Sequence, residues 1–318
     1  MSCLTLSFSS AKPFAKRICF VALILVFLPV GNICSQNNLF VSQYMHNRFA
    51  INSAFAGSDD ALSLFGSYRK QWVGFDGAPT FQFFSAHTPL KNEKVALGLQ
   101  LYNDAYAITK QTGFNASYTY RIQMANRSRL AFSINGGMVF KTSGFNSVPI
   151  ANRNDVVFLD SEKASLPVAG FGVAWYGKRF FAGLSIPNFF ESDNAFDLTT
   201  TFSHTNASVL LTAGYLFNLT SIVKTQPSVL LNYDPRYNVL YEVSNSFFIN
   251  DLIILGISYR STNEMVGLLG YQVLPQLRVA YSYDYGFNEL ATFNSGSHEI
   301  SIHYDFGFKL KSQGPKFF

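Results

Sequence analysis

The sequence predicts an all-β protein: a transmembrane antiparallel β-barrel of about fourteen strands behind an N-terminal signal peptide. Three observations predict it. Charged residues make up only 14% of the chain, against about 25% in an ordinary globular domain, while aromatics reach 16%, with 33 Phe and 17 Tyr. No apolar run long enough for a membrane-spanning helix follows residue 35. The chain instead alternates, residue by residue, between an apolar and a polar face, which is the period of a strand.

The leader comes first. Lys12, Lys16 and Arg17 precede a thirteen-residue apolar run, Ile18 to Val30, too short to span a bilayer, which takes about 20 residues. Pro29 and Gly31 break it, and cleavage after Ser35 leaves Gln36 as the mature N-terminus. A lipid anchor on Cys34 is disfavoured by Ile33, since a small residue belongs before such a cysteine. Cys3, Cys19 and Cys34 all precede the cut, so the mature chain is expected to carry no disulfide and no cysteine metal site. Residues 36–60 alternate poorly and are either a periplasmic lead-in or a small plug; the barrel is expected over 61–318.

The strands are expected at 61–69, 79–88, 94–103, 110–121, 129–141, 165–177, 179–187, 204–218, 225–234, 237–248, 251–260, 263–273, 275–284 and 297–309, an even number, as in closed bacterial barrels. In 276–284, Leu277, Val279, Tyr281 and Tyr283 oppose Gln276, Arg278, Ser282 and Asp284. In 298–309, Ile300, Ile302, Tyr304, Phe306 and Phe308 oppose Glu299, Ser301, His303, Asp305 and Lys309. In 111–121, Phe114, Ala116, Tyr118 and Tyr120 oppose Gln111, Asn115, Ser117, Thr119 and Arg121. A soluble sandwich would alternate too. Here the apolar faces carry Tyr and Phe near strand ends, and the opposite faces carry Gly, Ser, Asn and Thr, which suit lipid outside and a crowded or watery lumen inside. With both ends periplasmic, the outer loops are 70–78, 104–109, 142–164, 188–203, 235–236, 261–262 and 285–296. The inner turns, 89–93, 122–128, 178, 219–224, 249–250 and 274, are mostly tighter, the asymmetry expected of this class.

Chemical sites are weak. Asp76 and His87 could form an acid–base pair, but eleven mostly extended residues hold them apart. Ser297, His298, Glu299, His303 and Asp305 invite a hydrolase reading, yet His298 points away from Glu299, and a nucleophilic site needs its members to converge. His46, His87, His204, His298 and His303 are scattered, with no ligand-spaced cluster. No phosphate-cradling glycine motif lies between a strand and a helix. The net charge of +5 includes leader residues and does not argue for nucleic acid. Neither catalysis, nor a cofactor, nor a metal is expected.

Four stretches carry a family likeness: "QYMHNRFAINSAFAG" at 43–57, "YRKQWVGFDGAP" at 68–79, "SAHTPL" at 85–90, and "LRVAYSYDYGFNEL" followed by "SGSHEIS" within 277–301. Together they resemble the PorP/SprF family, outer-membrane barrels associated with type IX secretion and gliding motility. Ser53 stands where that family usually has Pro, and Phe81 where Thr is frequent. The resemblance implies a non-enzymatic component of protein secretion in the Gram-negative outer membrane. Such a component would hold or help export a secreted adhesin-type surface protein, or link to the secretion motor. A passive or hydrophobic-solute channel is the alternative. The matching positions are Gln43, Tyr44, Met45, Asn47, Arg69, Gln71, Trp72, Gly74, Gly77, Ala78, Pro79, His87, Tyr283, Asp284, Ser297, His298 and Glu299, with no role attached to each. Loop 70–78 is expected to tuck toward the lumen or rim, where Arg69 meets a carboxylate from Glu242, Glu299 or Asp305 and Trp72 finds a packing surface.

Overall fold

The computed structural model describes residues 42–91, 93–144, 162–188, 207–235, 238–287 and 292–307. The leader, its three cysteines, the cleavage site and most of the two longest outer loops lie outside the described residues.

Fourteen strands form one antiparallel barrel in which each pairs with its neighbours in sequence. They are β1 (Leu62–Lys70), β2 (Thr80–Pro89), β3 (Val95–Tyr106), β4 (Thr109–Gln123), β5 (Arg129–Ser143), β6 (Glu162–Tyr176), β7 (Phe180–Ile186), β8 (Val209–Tyr215, with a short continuation Phe217–Asn218), β9 (Val223–Asp234), β10 (Asn238–Ile249), β11 (Ile253–Arg260), β12 (Glu264–Leu274), β13 (Leu277–Gly286) and β14 (Ser297–Phe306). Closure comes from β1 against β14, in a register running from Leu62↔Phe306 to Lys70↔His298. A closed ladder leaves no sheet edge, the condition for strands to cross lipid. One loop differs from expectation. β3 and β4 extend to Tyr106 and Thr109, so the outer loop expected at 104–109 contracts to the turn 107–108. Ala107 makes this tight reversal in the left-handed region, at φ 47°.

The two faces divide as the alternation predicts. Outward, Ile300 is 55% exposed, Ile302 53% and Tyr281 43%. Inward, Ser282, Glu299 and Ser301 are buried. What buries them is the chain itself. Ser42 to Gly57 lies almost wholly inside, with Tyr44, Ala54 and Ala56 at zero exposure. This segment forms only two short 3-10 turns, Arg48–Ala50 and Ser53–Phe55, so its backbone groups need outside partners. Barrel side chains supply them. Ser185 donates to the Ile51 carbonyl (2.7 Å), Thr119 to that of Ser53 (2.9 Å), Gln100 to that of Phe49 (2.6 Å) and Arg121 to that of Gly57 (2.6 Å). Three apolar clusters add packing: Phe55 with Ala131, Ala174 and Phe181; Tyr44 and Ile51 with Leu210 and Leu230; Phe49 with Ala96. Each large buried side chain contributes about 1.5–3 kcal/mol. Small inward residues make the room: a Cβ on Gly98 would stand 2.3 Å from Phe49 Cζ, and one on Gly172 2.2 Å from Asn52 Oδ1.

This filled lumen revises one expectation. On alternation alone, arginine at Ser282 or Ser301 is milder than arginine at an outward site, with nothing inside for it to displace. The structure places Gln43 against both: its amide nitrogen lies 3.4 Å from Ser282 Oγ, and its amide oxygen accepts from Ser301 Oγ. Tyr281→Arg or Ile302→Arg is expected to cost about 2–4 kcal/mol at mid-membrane depth and to abolish the folded band on an unboiled detergent gel. Ser282→Arg or Ser301→Arg is expected to keep that band while loosening the inner segment. Equal loss at both pairs of sites would reverse the assignment of inside and outside.

Candidate functional site

Gln43, Arg69, Trp72, Gly77, Tyr283, Asp284, Ser297 and Glu299 come from four parts of the chain and meet at one end of the barrel. It is the end bearing the long connections 71–79, 144–161, 187–208 and 287–296, hence the outer rim. Strand period explains the charged side chains. Arg69 is the last inward residue of β1, Asp284 lies near the end of β13, and Glu299 lies near the start of β14, so all three enter the lumen at the same height. Arg69 Nη1 lies 2.8 Å from Asp284 Oδ2 and 3.5 Å from Glu299 Oε2. Arg260, ending β11, joins from the far side: 2.7 Å to Glu242, 2.9 Å to Asp284 and 3.3 Å to Glu264. All but Glu264 are essentially buried.

Ser42 stands at the centre of this cluster. Its hydroxyl donates to Asp284 Oδ2 (2.6 Å) and accepts from Arg260 Nη2 (2.9 Å) and from Arg69, and its N–H donates to Glu299 Oε2 (3.1 Å). Gln43 adds a bond to the Glu299 carbonyl (3.2 Å). Charge-assisted bonds inside a low-dielectric space are the strong kind. The head of the inner segment is thus tied to β1, β11, β13 and β14 at once.

Directly above, two rim loops brace one another. Val73 N–H donates to the Gly296 carbonyl (2.8 Å) and Ser295 N–H to the Val73 carbonyl (2.7 Å), a two-bond bridge between loops 71–79 and 287–296. Trp72 N–H donates to Ser297 Oγ (3.2 Å), Gln71 N–H to the Pro79 carbonyl (2.9 Å), and Ala107 N–H to the Gly77 carbonyl (2.9 Å). Gly77 (φ 73°) and Gly296 (φ 81°) hold left-handed angles, and a Cβ on Gly296 would stand 2.7 Å from the Asp284 carbonyl. Trp72 takes a left-handed angle too, at φ 45°, which costs about 1–2 kcal/mol for a residue with a Cβ. On this scaffold Phe75 and Phe293 stand out, 51% and 70% exposed.

The remaining motif residues divide between inside and outside. Tyr44 Oη meets Ser244 (3.0 Å), Met45 Sδ accepts from Ser246 (3.0 Å) and Asn47 donates to Ser85 (2.9 Å), all holding the inner segment. His87 lies toward the other end, accepting from Gly57 N–H at Nδ1 (3.1 Å) and facing Asp59 (3.4 Å). His298 points outward, its Nδ1 2.6 Å from Tyr281 Oη and its ring against Tyr283. Gly74 (φ 97°), Ala78 and Pro79 belong to the loop.

Arg69 does meet Glu299, as expected, but its closer partner is Asp284; Glu242 pairs with Arg260, and Asp305 with His303 (3.2 Å). Asp76 is exposed in the outer loop, whereas His87 pairs with Ser63 at the opposite end of β1. Glu299 and His298 face opposite sides of β14, and Ser297 Oγ accepts the Trp72 N–H, so these three do not converge as an acyl-transfer site. One histidine does fall among carboxylates that the sequence spacing does not bring together. Asp59, His303 and Asp305 place ligand atoms within 4.8 Å of one another and are the group that could hold a metal ion among the described residues. Within it His303 Nε2 lies 2.7 Å from Ser63 Oγ and 3.2 Å from Asp305 Oδ1. Sequence reasoning missed Ser42, Arg260 and Gly296. Arg260 was findable: it falls on an inward position opposite Glu242.

A closed fourteen-stranded antiparallel barrel with an apolar, aromatic-rich exterior and a polar interior is an outer-membrane β-barrel. The chain belongs to the PorP/SprF family: the model described as type IX secretion system membrane protein PorP/SprF matches residues 33–304. Among curated protein sequences none matches significantly. Solved structures similar to it include the CymD monoaromatic hydrocarbon channel (TM-score 0.50, 11% identity, covering 87% of this chain and 95% of that one). Another is the Acinetobacter baumannii outer membrane protein Omp33 (TM-score 0.48, 7% identity, covering 78% of this chain and all of that one). At such identities the likeness is one of fold alone. The protein is therefore an outer-membrane component of the type IX secretion family, and that family is non-enzymatic in kind.

Proposed function

We propose that the barrel works as a holder of a secreted surface protein, not as a conduit, and grips that protein at the outer rim. The observation that carries this is the braced loop pair. Loops 71–79 and 287–296 lock together over a buried ion cluster and present Phe75 and Phe293 to the outside. Exposed aromatics on a rigid base are the usual core of a protein-binding surface. The filled lumen supports the same reading, because a conduit needs a path and Ser42 to Gly57 occupies it. The chemistry of the rim favours a folded protein partner with an apolar patch over a small solute.

Phe75→Ser with Phe293→Ser is expected to leave the barrel inserted and heat-modifiable while weakening retention of the exported cargo by at least roughly thirtyfold, the scale of a single lost aromatic anchor, with the second adding to it. Gly77→Val, which forces a β-branched residue into a left-handed angle of the braced loop, and Trp72→Ala, which removes the loop's largest ring, are expected to do the same. Comparing the secretome and surface-bound cargo with the folded-band fraction on the same variants decides the matter. Loss of folding and export together would make the motif structural. Unchanged export with a new defect in solute uptake would favour a channel.

A further inference from the structure

A second feature lies on the opposite face of the wall. β1 carries Gly66 at an outward position between Leu64 and Tyr68, and a Cβ built there meets nothing within 4 Å. The dent is the floor of a groove of about 750 Å³ walled by Tyr68, Phe84, Leu101, Phe114, Ile300 and Ile302. These walls are outward and exposed at the depth of the membrane. Strand register grades the face above them. One step toward the outer rim, Tyr68, Gln82, Asn103 and Thr112 lie side by side across β1 to β4. Gln82 is exposed and makes no side-chain hydrogen bond among the described residues; Thr112 donates to Asn103 Oδ1 (2.9 Å). Amides on a lipid-facing wall are costly without a partner. The next step outward reads Lys70, Thr80, Ala105 and Lys110, with both lysines exposed.

We propose that this face is a binding site for a phosphorylated, multi-acylated lipid of the outer leaflet, of the lipid A class. Acyl chain fills the dent at Gly66. The sugar hydroxyls and acyl amides meet Gln82, Asn103 and Thr112. Lys70 and Lys110, three strand spacings or about 14 Å apart, each receive a phosphate, and outward lysines attract anionic headgroups. The order of apolar, amide and cationic rows matches the order of groups in such a lipid. The two separated lysines favour two phosphates over the single one of a phospholipid.

The test uses the intact barrel, purified, delipidated and reconstituted in nanodiscs with added diphosphorylated lipid A or phosphatidylglycerol, and read by native mass spectrometry. Wild type is expected to retain lipid A and not phosphatidylglycerol. Lys70→Ala with Lys110→Ala is expected to weaken retention about thirtyfold. Gly66→Leu, which fills open space and leaves the ladder intact, is expected to abolish it. Heat-modifiability confirms that each variant is folded. Equal retention of phosphatidylglycerol, unchanged retention in the variants, or a protein co-isolating at this face and lost with Gly66→Leu would each overturn the proposal.

Discussion

Arg260→Ala is expected to destabilise the folded barrel by about 3–5 kcal/mol, the cost of removing one partner from a buried ion pair. Arg260 lies 2.7 Å from Glu242, which shows no exposure, and 2.9 Å from Asp284, while its other nitrogen donates to Ser42. Without it Glu242 has no cation among the described residues, and Asp284 keeps Arg69. The charge left behind costs more than the pair contributes, so a second change that removes charge should recover part of the loss. Arg260→Met with Glu242→Gln is expected to be more stable than Arg260→Ala alone. A urea titration of the heat-modifiable band would read both. A loss below about 1 kcal/mol would put the cluster on a par with exposed salt bridges and leave Ser42 without a firm tether.

The wall of this barrel was legible because one strand period decides lipid from lumen. Phe114, Tyr118 and Tyr120 are outward, and Thr119 and Arg121 are inward, as the alternation requires. Period two fixes the face of a residue, not its bearing around the barrel. The need of Arg69 for an inward carboxylate is therefore legible, but the three named for it, Glu242, Glu299 and Asp305, leave out Asp284 and include Asp305, which lies at the other end of β14. The pairing β1–β14–β13 settles the choice, and brings Asp284 nearer than Glu299. The inner segment was illegible for a different reason. Its backbone bonds go to Ser185, Thr119, Gln100 and Arg121 on the wall, so its own residues carry no repeating pattern. Loop 104–109 was drawn too long because Asp104 looks like a loop residue; it belongs to a strand that continues to Tyr106 before the chain turns at Ala107.

Enlarging the two glycines beneath the inner segment is expected to open the barrel. Gly98 receives the ring of Phe49, and a Cβ there would also stand 2.6 Å from Ser117 Oγ. Phe49 has little freedom to move aside: its ring lies edge-on to His87 at 4.8 Å, and its carbonyl is held by Gln100. Gly172 receives Asn52, whose amide also donates to the carbonyls of Val173 (3.1 Å) and Leu184 (3.2 Å). Valine at either site forces an overlap that rotation of a free side-chain end cannot relieve, and overpacking of this kind costs about 1–3 kcal/mol. The strands themselves have no need to shift, because the inner segment can leave. Gly98→Val with Gly172→Val is therefore expected to convert a barrel silent in planar bilayers into one with discrete conductance steps. Deletion of residues 42–57 sets the fully open level. Gly267→Val, at an outward position where a Cβ meets nothing within 4 Å, is the matched control and should stay silent. If the unaltered protein already conducts at the level of the deletion, the segment does not close the lumen. If the double variant stays silent although folded, the two contacts do not hold it.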